Sequence, residues 1–240
     1  MKPNQQRTTQ LQHGAFTLVE MLVVIAIIGI LAGILVPVVG RAKTKAKVAA
    51  ARVEMAGLEL AIKTYHGEYS RWPLPKGAAS WTNDGGDFTY GSNGAPKNEA
   101  LMQILMAEKN VVYNIEHERN HKIIKFIEPK DSGEIDGLPG FSTTGRYHDP
   151  FGNEYIISLD LNGDGVCADA TYCEKSFSES GGSGLVGLAK YKEAKPEAPD
   201  PPDIYVHKGE VMIWSFGPDK EKEKEEGRSG SKTDNILSWR

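Results

Sequence analysis

A single stretch decides the fold: residues 13–20 read HGAFTLVE, and residues 21–39 continue without a break as MLVVIAIIGILAGILVPVV. The second part contains no charged residue, and its nineteen residues would rise about 28 Å as a helix at ~1.5 Å per residue. This length matches the hydrocarbon core of a bilayer, so we predict a membrane-spanning helix. Glu20 stands at the apolar margin, where a carboxylate costs free energy and therefore needs a functional explanation.

Three kinds of N-terminal segment compare with this pattern. A secretory signal peptide has an apolar core of about 7–15 residues followed by a small-x-small cleavage site; here the core is longer and no such site follows it. A plain signal anchor does not explain a carboxylate at Glu20, at the margin of the apolar segment. The third kind is the prepilin signal, and the segment resembles the one shared by type IV pilins and type II secretion pseudopilins.

The resemblance implies a specific processing site. In that superfamily a prepilin peptidase cuts on the cytoplasmic side of the apolar helix, and the new N-terminal Phe is methylated. A cut between Ala15 and Phe16 places Glu20 and Pro37 where the superfamily keeps its glutamate and its helix-loosening proline. The superfamily usually has Gly directly before the Phe, whereas here Ala15 separates Gly14 from Phe16. A cut after Gly14 would put both positions out of phase, so we predict the cut after Ala15.

Four residues of the apolar helix are candidates for assembly. In lipid a carboxylate must find a cation or a donor, or take up a proton. We expect Glu20 to pair with the new amino group of Phe16, on its own or a neighbouring chain, and so to set the register of parallel helices in a filament. Gly29 and Gly33 form a small-xxx-small face for close helix approach, although glycine is also common in membrane helices without that role. Pro37 removes one helix hydrogen bond and is expected to kink or loosen the helix.

The flanking charges give conflicting signals about topology. The leader contains Lys2 and Arg7 and no acidic residue, which favours a cytoplasmic N-terminus. The other flank is also basic, with Arg41, Lys43, Lys45, Lys47 and Arg52. These cations either contact lipid headgroups or form a solvated helix face. Because the prepilin resemblance is more specific than a charge count, we predict an inner-membrane protein with a cytoplasmic leader (1–15), a membrane and assembly helix (16–40) and a periplasmic domain (41–240).

The helical pattern continues beyond the apolar segment. Apolar residues recur at alternating steps of three and four, namely Val48, Ala51, Met55, Leu58, Ile62, Tyr65 and Tyr69. Such a stripe needs a partner surface, which the rest of a 240-residue chain with 40% hydrophobic residues has room to provide. We predict a helix over about 17–66 that ends at Gly67 and the turn 71–73. The predicted fold class is α+β and pilin-like: a long N-terminal helix, half transmembrane and half amphipathic, packed on a small antiparallel sheet.

The remaining elements are short. Residues 72–96 are predicted as a loop, Asn98 as the cap of a helix through Ala107, and residues 123–127 as a strand or an extended cover. Clearer strands are predicted over 155–161, 204–207 and 211–216, with Lys208 and Gly209 joining the last two as a hairpin. Residues 179–202 and 220–232 have the composition of mobile loops.

Two late segments resemble the major pseudopilin of type II secretion. Residues 149–155 read DPFGNEY, similar to the turn and strand entry DPWGNPY of that protein, and residues 214–239 resemble its closing calcium loop. The implied Ca²⁺ ligands are Asp219, Asp234 and Asn235. Lys220 stands where the family has Gly, and the connecting loop alternates Lys and Glu, so the alternative is a salt-bridged closure pinned by Trp239.

A second calcium candidate lies earlier in the chain. Residues 160–165 read DLNGDG, which fits the opening of an EF-hand loop with ligands at Asp160, Asn162 and Asp164. Thr171 stands where the bidentate Glu of such a loop is required, and Asp169 is the candidate substitute. An ordinary tight turn after a strand has the same composition. Ca²⁺ is therefore the one cofactor that the sequence suggests.

Cysteine spacing and the absence of catalytic motifs narrow the function. Cys167 and Cys173 predict one local disulfide in a domain outside the cytoplasm, with free thiols as the alternative. His148 and His207 have no metal-ligand spacing, and the chain lacks a Gly-x-Ser-x-Gly, HExxH or phosphate-loop motif. The net charge of −4 argues against a nucleic-acid partner.

We therefore expect a structural, non-enzymatic subunit of a type II secretion pseudopilus. Its expected partners are further copies in a filament, the prepilin peptidase, the inner-membrane assembly platform and other pseudopilins. One alternative is a type IV pilin or minor pilin that serves adhesion, motility or DNA uptake. Another is a membrane-anchored calcium- or ligand-binding envelope protein.

Overall fold

The computed structural model describes residues 16–83, 86–92, 94–109, 111–133, 135–173, 187–191, 204–218, 220 and 235–239. The chain forms two compact units, residues 1–45 and 46–240. The leader and most of the two segments that were expected to be mobile loops lie outside the described residues.

Helix α1 runs from Leu18 to Tyr69 and contains 52 residues. Within the second unit one stripe of α1 is buried, and it consists of Ala51, Met55, Leu58, Ala61, Ile62 and Tyr65. Five of these residues are predicted stripe positions and Ala61 is an additional one, so the amphipathic half of the helix is confirmed. The helix ends later than His66 because it accommodates Gly67, and the backbone turns left-handed only at Ser70, where φ is 50°.

Short strands form three sheets within the described residues. Their bounds are β1 Phe88–Thr89, β2 Asp131–Gly133, β3 Gly140–Ser142, β4 Tyr147–His148, β5 Ile156–Leu159, β6 Val166–Cys167, β7 Ala189–Tyr191, β8 Ile204–Lys208, β9 Val211–Ser215 and β10 Ile236–Leu237. The main sheet has the order β1-β5-β9-β10, with antiparallel pairs throughout. The order is β2-β3-β4 in the second sheet and β6-β8-β7 in the third. The α+β, pilin-like class is confirmed, with one parallel pair, β2 with β3, added to the antiparallel ladders.

The main sheet is buried on both faces. Ile157 and Ile213 share the largest hydrophobic cluster with the α1 stripe. Met212 and Trp214, the two neighbours of Ile213 in β9, belong to a second cluster that includes Tyr205 of β8. Because successive strand side chains point to opposite faces, α1 covers one face and the β8 layer covers the other.

The elements outside α1 and the main sheet correct two predictions. Residues 72–96 are not all loop, since they hold a 3₁₀ helix at Ala78–Trp81 and strand β1. Helix α2 spans Asn98–Leu105, and its N-cap is Lys97 rather than Asn98. A second 3₁₀ helix lies at Ile115–His117. Residues 123–127 form no strand; Ile123 has a left-handed backbone with φ of 56°, and Phe126 and Ile127 pack against the main core.

The Asn98 side chain is not a cap because two strands use its hydrogen bonds. Its Nδ2 donates to the carbonyl oxygens of Tyr147 and Tyr155, each at 2.9 Å. Its Oδ1 accepts the N–H of Tyr147 at 3.0 Å. The residue is 2% exposed, so this amide joins the start of α2 to β4 and to the entry of β5.

The predicted hairpin at Lys208 and Gly209 is wrong, although both of its strands exist. β8 pairs with β6 and β7, whereas β9 pairs with β5 and β10. All five residues of β9 and the first three of β8 are buried. The two strands therefore lie in different layers of the core, and the short connection turns the chain from one sheet to the other.

The predicted disulfide between Cys167 and Cys173 is also not formed. Cys167 packs in the cluster of Tyr205 and Trp214, whereas Cys173 packs with Ile204 and Val206. Residues 204, 205 and 206 alternate along β8, so the two cysteines lie against opposite faces of this strand. Short spacing in sequence was misleading because the strand separates the two sulfur atoms.

Candidate functional site

The start of α1 is held by a reciprocal cap between Thr17 and Glu20. The backbone N–H and the hydroxyl of Thr17 both donate to Oε2 of Glu20, at 2.9 and 2.6 Å. In return the N–H of Glu20 donates to the Thr17 hydroxyl at 3.2 Å. This is a capping box, in which a Thr and a Glu three residues later satisfy two helix N–H groups that have no helical partner. Sequence reasoning missed Thr17, although the T-x-x-E spacing indicates it.

The apolar part of α1 is exposed in the first unit. Its large apolar side chains range from 43% exposed at Val24 to 80% at Leu18. A Cβ added at Gly29 or Gly33 would meet no atom within 4 Å, and the helix continues through Pro37. Among the described residues, α1 is the helix that is long and apolar enough to cross a membrane. Of the predicted processing residues, Gly14 and Ala15 lie outside the described residues, and Phe16 is 72% exposed.

The DPFGN turn clamps the end of β9. Asp149 is fully buried, and its carboxylate accepts the N–H groups of Phe151 and Asn153, both at 2.8 Å. It also accepts the hydroxyl of Ser215 at 2.7 Å. Asn153 Nδ2 donates to the carbonyl of Gly217 at 2.8 Å. The turn therefore fixes the exit of β9, from which the predicted closing loop departs.

Gly152 makes this turn possible. Its φ is 88°, and a Cβ built there would lie 2.1 Å from the carbonyl oxygen of Gly137. An L side chain is disfavoured at this φ and would also collide with the backbone. The glycine of the motif is thus required by geometry at this position.

The Asp160 loop has the hydrogen bonds of a tight turn. Asp160 is 2% exposed, and its two oxygens accept the N–H groups of Gly163 at 2.6 Å and Gly165 at 2.9 Å. Asp164 accepts the N–H of Val166 at 3.0 Å, and its N–H donates to Asn162 Oδ1 at 2.9 Å. The three predicted ligands therefore lie in one loop, and each of them carries backbone contacts there.

A buried carboxylate that the sequence did not indicate lies beside this loop. Asp87 is 1% exposed and accepts the N–H of Leu161 within the loop at 3.0 Å and the N–H of Ala168 after the loop at 2.7 Å. Burial raises the pKa of Asp87 to about 7, and the negative charge of Asp160 adds to this effect. Asp87, directly before β1, thus ties the start of this strand to the loop and to the segment that follows the loop.

Asp169, the candidate substitute for the missing loop ligand, is surrounded by hydrogen-bond donors. It is fully buried, and Oδ2 accepts the Ser158 hydroxyl at 2.6 Å and Trp214 Nε1 at 3.0 Å. Oδ1 accepts the N–H groups of Thr171 at 2.8 Å and Tyr172 at 3.0 Å. Four donors thus surround the carboxylate, which ties the chain after β6 to the outer face of the main sheet.

Of the three predicted ligands of the C-terminal calcium site, Asn235 is among the described residues. Asp219 and Asp234 lie outside the described residues. Asn235 Nδ2 donates to the Tyr172 hydroxyl at 2.7 Å, while Asn235 Oδ1 is buried and has no hydrogen-bond partner among the described residues. A buried amide oxygen without a donor suits a hard cation such as Ca²⁺. Within the part of the chain that the structure describes, no group of three or more His, Cys, Asp or Glu side chains could hold a metal.

A carboxyl–phenol pair joins α1 to the main sheet. The Tyr155 hydroxyl donates to Glu54 Oε2 at 2.5 Å. Burial raises the pKa of Glu54 above its ordinary value of 4.5, although the Tyr155 hydrogen bond opposes the shift. The folded chain therefore binds a proton at Glu54 more tightly than the unfolded chain does.

This shift predicts a pH dependence of stability. Because the folded-state pKa of Glu54 is raised, its contribution is complete below about pH 4.5 and is lost as pH rises through the folded-state pKa. Glu54→Gln keeps an acceptor for Tyr155 and removes the titration. In urea unfolding, the free energy of unfolding of the wild type minus that of the variant should fall as pH rises above about 4.5. A difference that stays constant as pH rises contradicts the assignment. The control is Glu59→Gln, which removes another carboxylate from the same helix.

Comparison with known proteins gives one match, and it falls on the start of the chain. A family model described as the prokaryotic N-terminal methylation motif matches residues 12–36. The matched range holds the processing residues, the Thr17–Glu20 cap, Gly29 and Gly33. With the long apolar helix that begins within the matched range, the motif fits the signal of type IV pilins and pseudopilins. No curated protein and no solved structure gave a significant match.

Proposed function

We propose that this chain is a structural subunit of a pseudopilus that supports type II protein secretion, after processing by prepilin peptidase. The observation that carries the proposal is the methylation motif over residues 12–36 at the head of an exposed apolar helix. That motif implies cleavage by the peptidase and assembly into a pilus-like filament. The specific secretion role goes further and rests on the arguments below.

The geometry of Glu20 supports assembly through its carboxylate. In the single chain both donors from Thr17 end on Oε2, and no described residue donates to Oε1. Cleavage after Ala15 would create a new amine on Phe16, directly before Thr17. In a bundle of parallel helices this amine can lie beside the Glu20 of a neighbouring chain. An ion pair between the amine and Oε1 satisfies both charges in a medium of low dielectric.

The exposed surface of the first unit supports a membrane or filament environment. Its large apolar side chains are exposed, and exposed apolar surface of this extent marks an interaction or membrane site. Lipid covers it before assembly, and neighbouring helices cover it afterwards. The open faces at Gly29 and Gly33 allow such helices to approach closely.

Two features near the C-terminus support the secretion role in particular. The DPFGN turn binds Ser215 and Gly217 at the exit of β9, and Asn235 has a buried amide oxygen to which no described residue donates. Both lie in the segments that resemble the major pseudopilin. A type IV pilin or minor pilin is the alternative within the same superfamily, and a membrane-anchored envelope protein is the alternative outside it.

Deletion of the gene in its own bacterium tests the secretion role. We expect exoproteins to accumulate in the periplasm instead of the medium, while surface pili and twitching motility stay unchanged. Loss of pili with normal secretion would contradict the proposal and favour the pilin alternative. Loss of neither would favour the envelope protein.

We also propose that the C-terminal loop binds Ca²⁺ through Asp219, Asp234 and Asn235, with the Asp160 loop as a second candidate. An ion that binds only the folded chain stabilises it by RT ln(1 + [L]/Kd), about 2.7 kcal/mol at a hundredfold excess over Kd. For a domain of this size each kcal/mol shifts the melting temperature by roughly 2–4 °C. The purified full chain should therefore lose several degrees in chelator and recover them with Ca²⁺.

Paired variants assign this response to a loop. The double variant Asp219→Ala, Asp234→Ala should abolish it if the C-terminal loop is the site. The double variant Asp160→Ala, Asp164→Ala is the matched control for the earlier loop. A wild-type melting temperature that chelation leaves unchanged would exclude a structural Ca²⁺ at either loop.

A further inference from the structure

Three cations directly follow the apolar part of α1 within the first unit. They are Arg41, Lys43 and Lys45, and all three are exposed. None of them forms an ion pair with any described residue. The proposed function gives these charges no role, and the positive-inside rule does not explain them either, because it places basic residues at the cytoplasmic end.

The spacing of these cations around the helix indicates the kind of partner. At about 100° per residue, Arg41 and Lys45 lie one turn apart on one side of α1, and Lys43 points to the opposite side. A protein that docks on one face of the helix would meet the charges of one side only. A layer that surrounds the helix meets all three.

We propose that Arg41, Lys43 and Lys45 form a cationic collar that binds anionic lipid headgroups where α1 leaves the membrane. Long basic side chains at helix ends extend their charged groups to the headgroup level while their methylene stems stay on apolar surface. Their N–H groups make charge-assisted hydrogen bonds to phosphate oxygens. The inference rests on the membrane insertion in the proposed function, and it adds a lipid partner that must be released when the subunit enters the filament.

Lipid selectivity of the full chain tests the collar. The chain is reconstituted in bilayer nanodiscs, and electron paramagnetic resonance compares spin-labelled phosphatidylglycerol with spin-labelled phosphatidylcholine at the protein surface. A basic residue near an anionic surface contributes roughly a fivefold preference, so phosphatidylglycerol should be preferred by at least that factor at low salt. The preference should disappear in about 1 M salt, where the Debye length is about 3 Å.

Two triple variants with equal charge loss decide the assignment. Arg41→Gln, Lys43→Gln, Lys45→Gln should bring the preference close to one. Arg52→Gln, Lys63→Gln, Lys76→Gln changes exposed cations of the second unit and should leave the preference intact. The collar is overturned if the wild type shows no preference, if the first variant keeps it, or if both variants lose it equally. A chain that fails to insert into the nanodiscs would instead overturn the proposed function, and the collar with it.

Discussion

Glu20→Ala should abolish filament assembly while processing and the fold of the second unit stay intact. Removal of one partner from an ion pair in a poorly solvated environment costs about 3 kcal/mol or more, which corresponds to a loss of at least roughly a hundredfold in the subunit association constant. Sedimentation and electron microscopy of cells that co-express prepilin peptidase measure the filament yield. Glu59→Ala removes a half-exposed carboxylate of the same helix; it is the matched control and should assemble normally.

A second variant separates the two roles of Glu20. Glu20→Gln keeps the acceptor of the Thr17 capping box, since Gln also serves at that position, but it removes the charge. If the ion pair drives assembly, the Gln variant should fail nearly as completely as the Ala variant. Normal filaments from Glu20→Gln would show that the residue acts through the cap alone.

Asp169→Ala should cause the largest loss of stability among single changes in the second unit. The change leaves four donors without an acceptor: the hydroxyl of Ser158, Nε1 of Trp214 and the N–H groups of Thr171 and Tyr172. Each buried donor left unsatisfied costs about 1–3 kcal/mol, so we expect a decrease of about 4 kcal/mol or more in the free energy of unfolding. Urea unfolding followed by Trp fluorescence measures it.

Asp131→Ala is the control for the loss of a carboxylate. Asp131 is exposed and accepts one backbone N–H, that of Gly133, at 2.8 Å. Its removal should cost less than about 1 kcal/mol. Equal losses for the two variants would contradict the central place of Asp169 in the fold.

The long helix could be predicted from sequence because its signals are local. The charge-free run and the three-and-four spacing of the stripe depend on neighbouring residues alone, and the structure buries Met55, Leu58 and Ile62 as expected. Strands β5, β8 and β9 were found for the same reason, as short runs of strongly apolar residues. The capping box is also a local signal, since Thr17 stands three residues before Glu20.

The errors share a cause, which is that tertiary contacts decided them. The sequence predicts Asn98 as a helix cap, but its side chain donates to the carbonyl oxygens of Tyr147 in β4 and Tyr155 before β5. The hydrogen bond from Trp214 to Asp169 likewise joins residues that are distant in sequence. The spacing of Cys167 and Cys173 predicts a disulfide, but the two side chains lie against opposite faces of β8. The sequence near these residues does not indicate which distant residues contact them in the fold.

The N-terminus of the mature chain tests the central claim most directly. The full chain is co-expressed with a prepilin peptidase, purified from the membrane fraction and analysed by mass spectrometry of the intact protein and its N-terminal peptide. We predict a chain that has lost residues 1–15 and begins with N-methylated Phe16. An intact leader, or a cut after Val39, would contradict this prediction.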